Sequence, residues 1–259
     1  MARQRRLERS GPIGGVREDA LVMRGLLLLG TDTGVGKTTV GCGLLELARR
    51  RGLRLVPYKP VETGCAPSPA DTQRLLAAAF PSAPDSPGLS LTDICSYAFG
   101  PPVAPSVAAR VANNPISAAV LRHQASVLAE RGDALLVEAA GGVLTPYGPD
   151  LTAASLAALL ELDVLLVAAN RLGTINHTAL AVGEIRRRRL TLQGIILVNV
   201  GPEPRPDQAH NATEIAALTG LEPLGTLAYV PSPGPGAIAD RIAADVDLRP
   251  LLGGRLASE

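Results

Sequence analysis

The 259-residue sequence predicts a doubly wound α/β domain, a mainly parallel sheet with helices on both faces. Three observations predict it. Short apolar runs recur along the chain, helical patterns long enough to cross over a sheet lie between them, and the first run feeds a glycine-rich turn that opens a helix. One such domain accounts for the length, since a chain of this size buries roughly three quarters of the surface it exposes when unfolded.

Residues 1–22 carry Arg3, Arg5, Arg6, Arg9 and Arg17 beside Glu8, Glu18 and Asp19, with Gly and Pro between and no apolar signal-peptide core. They read as a flexible tail or, because Met23 directly precedes the first apolar run, as sequence upstream of the true start; the domain is 23–259. The runs 26–29, 55–58, 134–138, 164–169, 195–198 and 224–228 read as buried parallel strands. The segments 38–51, 117–131, 151–160, 177–189 and 208–218 read as the helices between them. From 65 to 115 the chain is richer in Pro and Ser, which confines helices to short pieces and suggests an insertion over the active face. Arg186 to Arg189 close a predicted helix, where cations suit the negative end of its dipole.

Composition narrows the function. With 25 basic and 24 acidic residues the net charge is +1, so nothing in the balance calls for nucleic acid or an anionic membrane, and the partners expected are small molecules. Aromatic residues are 2% of the chain with no Trp, which leaves little for base stacking. No apolar run approaches the ~20 residues that span a bilayer. Cys42, Cys65 and Cys95 lack paired spacing and are far from His123, His177 and His210, so neither a disulfide framework nor a zinc site is expected and a reducing cytoplasm fits.

The turn is TDTGVGKTT, residues 31–39. Successive N–H groups of Thr33, Gly34, Val35 and Gly36 can wrap phosphate oxygens at the helix start, Lys37 reaches the outer phosphates, and Thr38, followed by Thr39, stands where a P-loop hydroxyl binds Mg²⁺. Together they ask for ATP with magnesium, in a domain of P-loop NTPase type. The first position of the usual P-loop pattern is Thr31 rather than a glycine. An incidental lysine in a strand-to-helix turn is the competing reading, disfavoured by the strand before and the Lys-Thr pair after.

Other segments end strands in chemistry. YKPVETG, 58–64, puts Lys59 at the carboxyl end of a strand, where open α/β sheets bind ligands, although such a lysine can also be merely solvated. LLVEAAGGVLTPY, 135–147, ends a strand in Glu138, able to reach Mg²⁺, followed by the Gly141-Gly142 pair, which lets the backbone come close to a substrate. Asp71 in ADTQRLL is either a metal carboxylate or a helix N-cap. NRLGTINHTAL, 170–180, offers N–H groups at a helix start to a carboxylate, with an ordinary cap at Asn176 as the alternative. Asn199 in LVNV ends a late strand with an amide that can donate and accept toward adenine, or it is a buried turn residue.

The loop TDTGVGKT resembles the dethiobiotin synthetases, and the later segments are similar to that family in the same order, from Met23 to about Leu251. The resemblance implies ATP-dependent carboxylation and ring closure of 7,8-diaminononanoate with CO₂, giving dethiobiotin, ADP and phosphate in biotin biosynthesis. It implies two catalytic lysines, Lys37 and Lys59, and a magnesium set of Thr38, Asp71 and Glu138. Nucleotide contacts would come from Thr33 to Thr39, Asp71, Glu138, Gly141 and Asn199. Substrate contacts would come from Thr63, Gly142, Val143, and a Gly173, Thr174 and Asn176 loop reaching across a homodimer. Gly34, Ala139, Val200 and Ala228 depart from the family's common residues, the last two near the expected adenine site. The signature lysine of partitioning ATPases is absent, Asp32 standing in its place. A cobyrinate-type amide synthase would need a glutaminase domain for which too few residues remain, and a non-catalytic nucleotide switch is the reading from another class.

Overall fold

The computed structural model describes residues 25–82, 88–231 and 234–254, so both readings of 1–22 lie outside the described residues. The chain runs β1 (Gly25–Gly30), α1 (Lys37–Arg50), β2 (Leu55–Tyr58), β3 (Val61–Thr63), α2 (Ala70–Ala79), α3 (Leu91–Ile94), β4 (Tyr97–Phe99) and α4 (Pro105–Val111). It continues with α5 (Ala118–Ala129), β5 (Ala134–Gly142), α6 (Ser155–Leu160), β6 (Asp163–Ala169), α7 (Thr174–Arg187), β7 (Leu192–Val198), α8 (Gln208–Thr219), β8 (Gly225–Leu227) and α9 (Pro235–Asp245), then a short 3-10 turn.

Six strands form one parallel sheet in the order β2-β5-β1-β6-β7-β8, which is the predicted doubly wound architecture. β1 sits inside it and shows why both faces must be covered. Leu27 and Leu29 enter one core, against Leu121 of α5, Leu156 of α6 and Ile185 of α7; Leu26 and Leu28 enter the other, against Leu44 of α1, Leu75 of α2 and Ile242 of α9. The two sets alternate because successive strand side chains point to opposite faces, and each such burial contributes about 1.5–3 kcal/mol.

The predicted strands are all present, and the departures have local causes. β5 runs on to Gly142, beyond the predicted 138, because residues 139–141 bulge between the Leu28–Glu138 and Gly30–Gly142 partners. The helix predicted from 151 begins at Ser155: the Leu151 carbonyl accepts the Tyr147 and Gly148 N–H groups and Thr152 bridges Pro146, which holds 147–152 in a turn. α7 starts at Thr174, ahead of the predicted 177. The insertion carries something not predicted, a separate two-stranded parallel sheet in which β3 pairs with β4.

Candidate active site

A cavity of about 700 Å³ opens at the carboxyl ends of β1, β2 and β5, roofed by Pro102, Val103 and Pro105 from the insertion. It gathers predicted residues from four segments: Thr33, Gly34, Gly36, Lys37, Thr38 and Thr39 from the turn, then Lys59 and Thr63, Asp71, and Glu138 and Gly141.

The turn is shaped by backbone. Gly36 caps α1 at φ 99°, and a Cβ there would also lie 2.8 Å from Val198 Cγ1, so glycine is required twice over. α1 has no side-chain cap, which leaves its first N–H groups facing the cavity. Val35 is buried in the core, so only its backbone can serve a ligand. Lys37 Nζ donates to the carbonyls of Asp32 (2.9 Å) and Gly141 (2.8 Å) and is 6% exposed. Burial, then repulsion from Lys59, lowers its pKa to about 8.

Glu138 lies between the two lysines because β5 lies between β2 and β1. One carboxylate oxygen, Oε1, accepts from Thr38 Oγ1 at 2.9 Å and pairs closely with Lys59 Nζ. Lys59 also reaches Asp71 Oδ2 at 3.4 Å. Burial opposes the charge on Lys59, but Glu138 and Asp71 outweigh it and hold the pKa above its usual value. Two buried lysines thus shift in opposite directions: Lys59 touches carboxylates, whereas Lys37 touches only neutral carbonyls.

Glu138 Oε2 is buried with no hydrogen-bond partner. An unpartnered carboxylate oxygen beside Thr38 and Asp71 fits a hard divalent cation, which takes one or two carboxylates and fills its remaining positions with phosphate and water. Among the described residues no group of three His, Cys, Asp or Glu clusters as a metal site, so a cation here would depend on such outside oxygens.

Several supporting residues are invisible to motif reading. The α2 cap position is Pro69, and the N–H groups of Asp71 (3.0 Å) and Thr72 (2.9 Å) donate to Glu62, with Thr72 Oγ1 at 2.6 Å. The capping alternative for Asp71 is therefore excluded: Glu62 satisfies the helix start and leaves the Asp71 carboxylate toward Lys59. Tyr147 Oη accepts the Ala140 N–H (2.6 Å) and Thr145 Oγ1 accepts that of Gly142 (2.8 Å), fixing the β5 bulge. Arg74, exposed and one turn beyond Asp71, lines the cavity with its cation.

Other predicted residues lie off this cavity. Gly142 and the buried Val143 follow Gly141 behind its wall. Gly173 is the α7 N-cap at φ 91°, so Asn176 sits exposed inside the first turn and is not a cap; Thr174 is buried with an unpartnered hydroxyl. Asn199 follows β7, whose Val198 abuts the phosphate turn at Gly36. Its Oδ1 accepts from Asn170 Nδ2 at 2.9 Å.

Residues 24–235 match the family model described as AAA domain. The chain is 47% identical over 210 residues to the ATP-dependent dethiobiotin synthetase BioD of Anaeromyxobacter dehalogenans, covering 81% of this chain and 92% of the relative. It is 38% identical to the protein of that name from Pseudomonas aeruginosa, over 88% of this chain and 98% of the relative. Among solved structures, a ParA family ATPase from Chlorobium tepidum is similar in fold alone, with a TM-score of 0.50 at 11% identity over 91% of this chain and 97% of that one.

Proposed function

This chain belongs to the ATP-dependent dethiobiotin synthetases, P-loop enzymes of biotin biosynthesis that close a ring at the expense of ATP, and from that premise we propose how its residues divide the work. The substrate is 7,8-diaminononanoate. One amine takes up CO₂ as a carbamate; a carbamate oxygen attacks the γ-phosphorus and the bond to ADP breaks; the second amine attacks the carbonyl carbon, loses a proton, and phosphate leaves with the C–O electron pair. The carbamate and the triphosphate are both anions, so positive charge must be fixed before they meet.

The observation that carries the reading is the pair of buried lysines flanking Glu138 in one cavity. Lys37 takes the outer phosphates, with the N–H groups of Thr33 to Thr39 around them. Lys59 neutralises the carbamate beside Thr63. Thr38, Asp71 and Glu138 would hold Mg²⁺, a role supported by the unpartnered Glu138 Oε2; the ion would supply further neutralisation of phosphate charge. Gly141 serves the nucleotide, Gly142 and Val143 present backbone to the substrate, and Asn199 reads adenine.

The substrate carboxylate falls to the Gly173, Thr174 and Asn176 turn of a second subunit in a homodimer. Support comes from the exposure of Gly173 and Asn176 away from their own cavity, with Leu172 at 79% and Leu180 at 66% exposed on either side of them. Light scattering tests this; a monomer at active concentrations overturns the shared site. Three free cysteines fit a cytoplasmic setting, and no helix among the described residues is long and apolar enough to cross a membrane.

The deciding experiment mixes purified protein with Mg-ATP, bicarbonate and 7,8-diaminononanoate. Diamine-dependent ADP release together with the ring-closed urea by mass spectrometry is expected. ATP binding with neither product favours a nucleotide switch or another amide-forming substrate.

A further inference from the structure

Asn170, Asn199 and Asn211 come from the ends of β6 and β7 and from inside α8, yet their side chains form one line. Asn211 Nδ2 donates to Asn170 Oδ1 at 2.8 Å, and Asn170 Nδ2 donates to Asn199 Oδ1 at 2.9 Å. Asn170 and Asn211 are 2% and 3% exposed. The backbone of Asn170 is clamped as well, its N–H on the Val198 carbonyl (2.7 Å) and its own carbonyl accepting Gln208 Nε2 (3.2 Å).

We infer that Asn170 and Asn211 set the base selectivity of the nucleotide site by fixing which way the Asn199 amide faces. The inference rests on the reading of Asn199 as the residue that contacts the base.

The line has a direction. Each amide passes a donor to the next acceptor, so turning Asn170 alone would set NH₂ against NH₂ at one junction and oxygen against oxygen at the other. Burial leaves no water to repair the mismatch at the Asn211–Asn170 junction. Asn199 therefore turns over only if Asn170 and Asn211 turn with it; in the arrangement seen its carbonyl faces Asn170, with one lone pair and both amide hydrogens left over. Its backbone N–H is already taken by the Leu227 carbonyl at 3.0 Å, and Val198 before it packs on Gly36 of the phosphate turn.

An amide free to flip is ambivalent toward purines. Adenine presents an amino donor beside a ring-nitrogen acceptor, which a carbonyl and an NH₂ match together; guanine presents an oxygen where adenine has the amino group, and a flipped amide would meet that oxygen with its NH₂. A held amide keeps only the adenine match. Val200, next along and 44% exposed, brings no polar side chain to the task. Selectivity then belongs as much to the two buried asparagines as to the one that touches the base.

The test is calorimetric binding of Mg-ATP and Mg-GTP to the full chain and to Asn199→Ala, Asn211→Leu and Asn211→Asp, with melting curves for each. The native chain should favour ATP by about tenfold or more, and Asn199→Ala should bring the ratio near one. Asn211→Leu removes the buried end of the coupled line and should lower the ratio by about threefold or more. Asn211→Asp can only accept, so it should turn Asn170 and then Asn199 over and move the preference further toward GTP. Should Asn211→Asp fail to melt cooperatively, Asn211→Leu and Asn170→Leu decide. A ratio lost in Asn199→Ala but native in the Asn211 and Asn170 variants overturns the relay and leaves the Asn199 reading standing. A ratio unchanged in Asn199→Ala, or a native chain with no preference, overturns that reading and the relay with it.

Discussion

The phosphate end of the site and its base end both rest on buried polar side chains, yet one is built from charges and the other from neutral amides. Lys37, Lys59, Glu138 and Asp71 meet at the carboxyl ends of β1, β2 and β5; Asn170, Asn199 and Asn211 meet at those of β6 and β7. Buried charges must compensate one another and answer to pH and salt. Buried amides must agree in direction and answer to neither. On the roles proposed above, the difference gives chemistry to one end and choice of base to the other.

Replacing a charge should do the most damage. Lys37→Gln or Lys59→Gln should lower turnover by about a hundredfold or more, on the scale of preorganised electrostatic groups. Asn199→Ala should raise the KM for ATP about tenfold while kcat stays within about threefold. Steady-state kinetics compares them, and an equal loss of kcat at both ends would erase the distinction.

Stability separates the ends next. Lys37 has its folded pKa lowered from 10.5 to about 8, so its charge costs stability below about pH 8 and the cost fades as pH rises toward 10.5. Lys37→Met should therefore stabilise the fold at pH 7 by about 3 kcal/mol at most, offset by the carbonyl hydrogen bonds it loses. That gain should vanish above about pH 11 in denaturation curves. Asn211→Leu should shift stability by the same amount at every pH.

A smaller effect is expected at Glu62. Glu62→Ala orphans two N–H groups at the start of α2 and should cost about 1–3 kcal/mol, with a raised Mg²⁺ requirement as Asp71 loses its placement. A native Mg²⁺ titration in a destabilised Glu62→Ala would make Glu62 a helix cap and nothing more. The smallest effect belongs to Arg74→Ala, which should weaken ATP binding a few-fold at low salt and hardly at all at high salt, since an exposed cation acts through a screened field.

The two ends also differ in how far the sequence discloses them. The phosphate turn is contiguous from Thr31 to Thr39, and Lys59 and Glu138 each end an apolar run, so local pattern was enough to find them. The central sheet was legible for the same reason. Glu62 reaches α2 only because β3 leaves the main sheet, and three-residue strands such as β3 and β4 are too short to show a period. The asparagine line joins positions 170, 199 and 211 through the register of β6 on β7, which no local window contains. The late start of α6 escaped because a carbonyl, at Leu151, and not a side chain decides it.

The detached β3–β4 sheet has a consequence for how such an enzyme changes over time. Thr63 ends β3, Glu62 beside it holds α2 and with it Asp71, and the segment after β4 supplies the roof at Pro102 to Pro105. The acceptor side of the cavity therefore travels as one cassette between β2 and α5, while the phosphate turn and Glu138 stay with the parallel sheet. A lineage, or an engineer, can exchange that cassette to recruit a different nucleophile, provided the replacement returns a carboxylate to the place of Asp71.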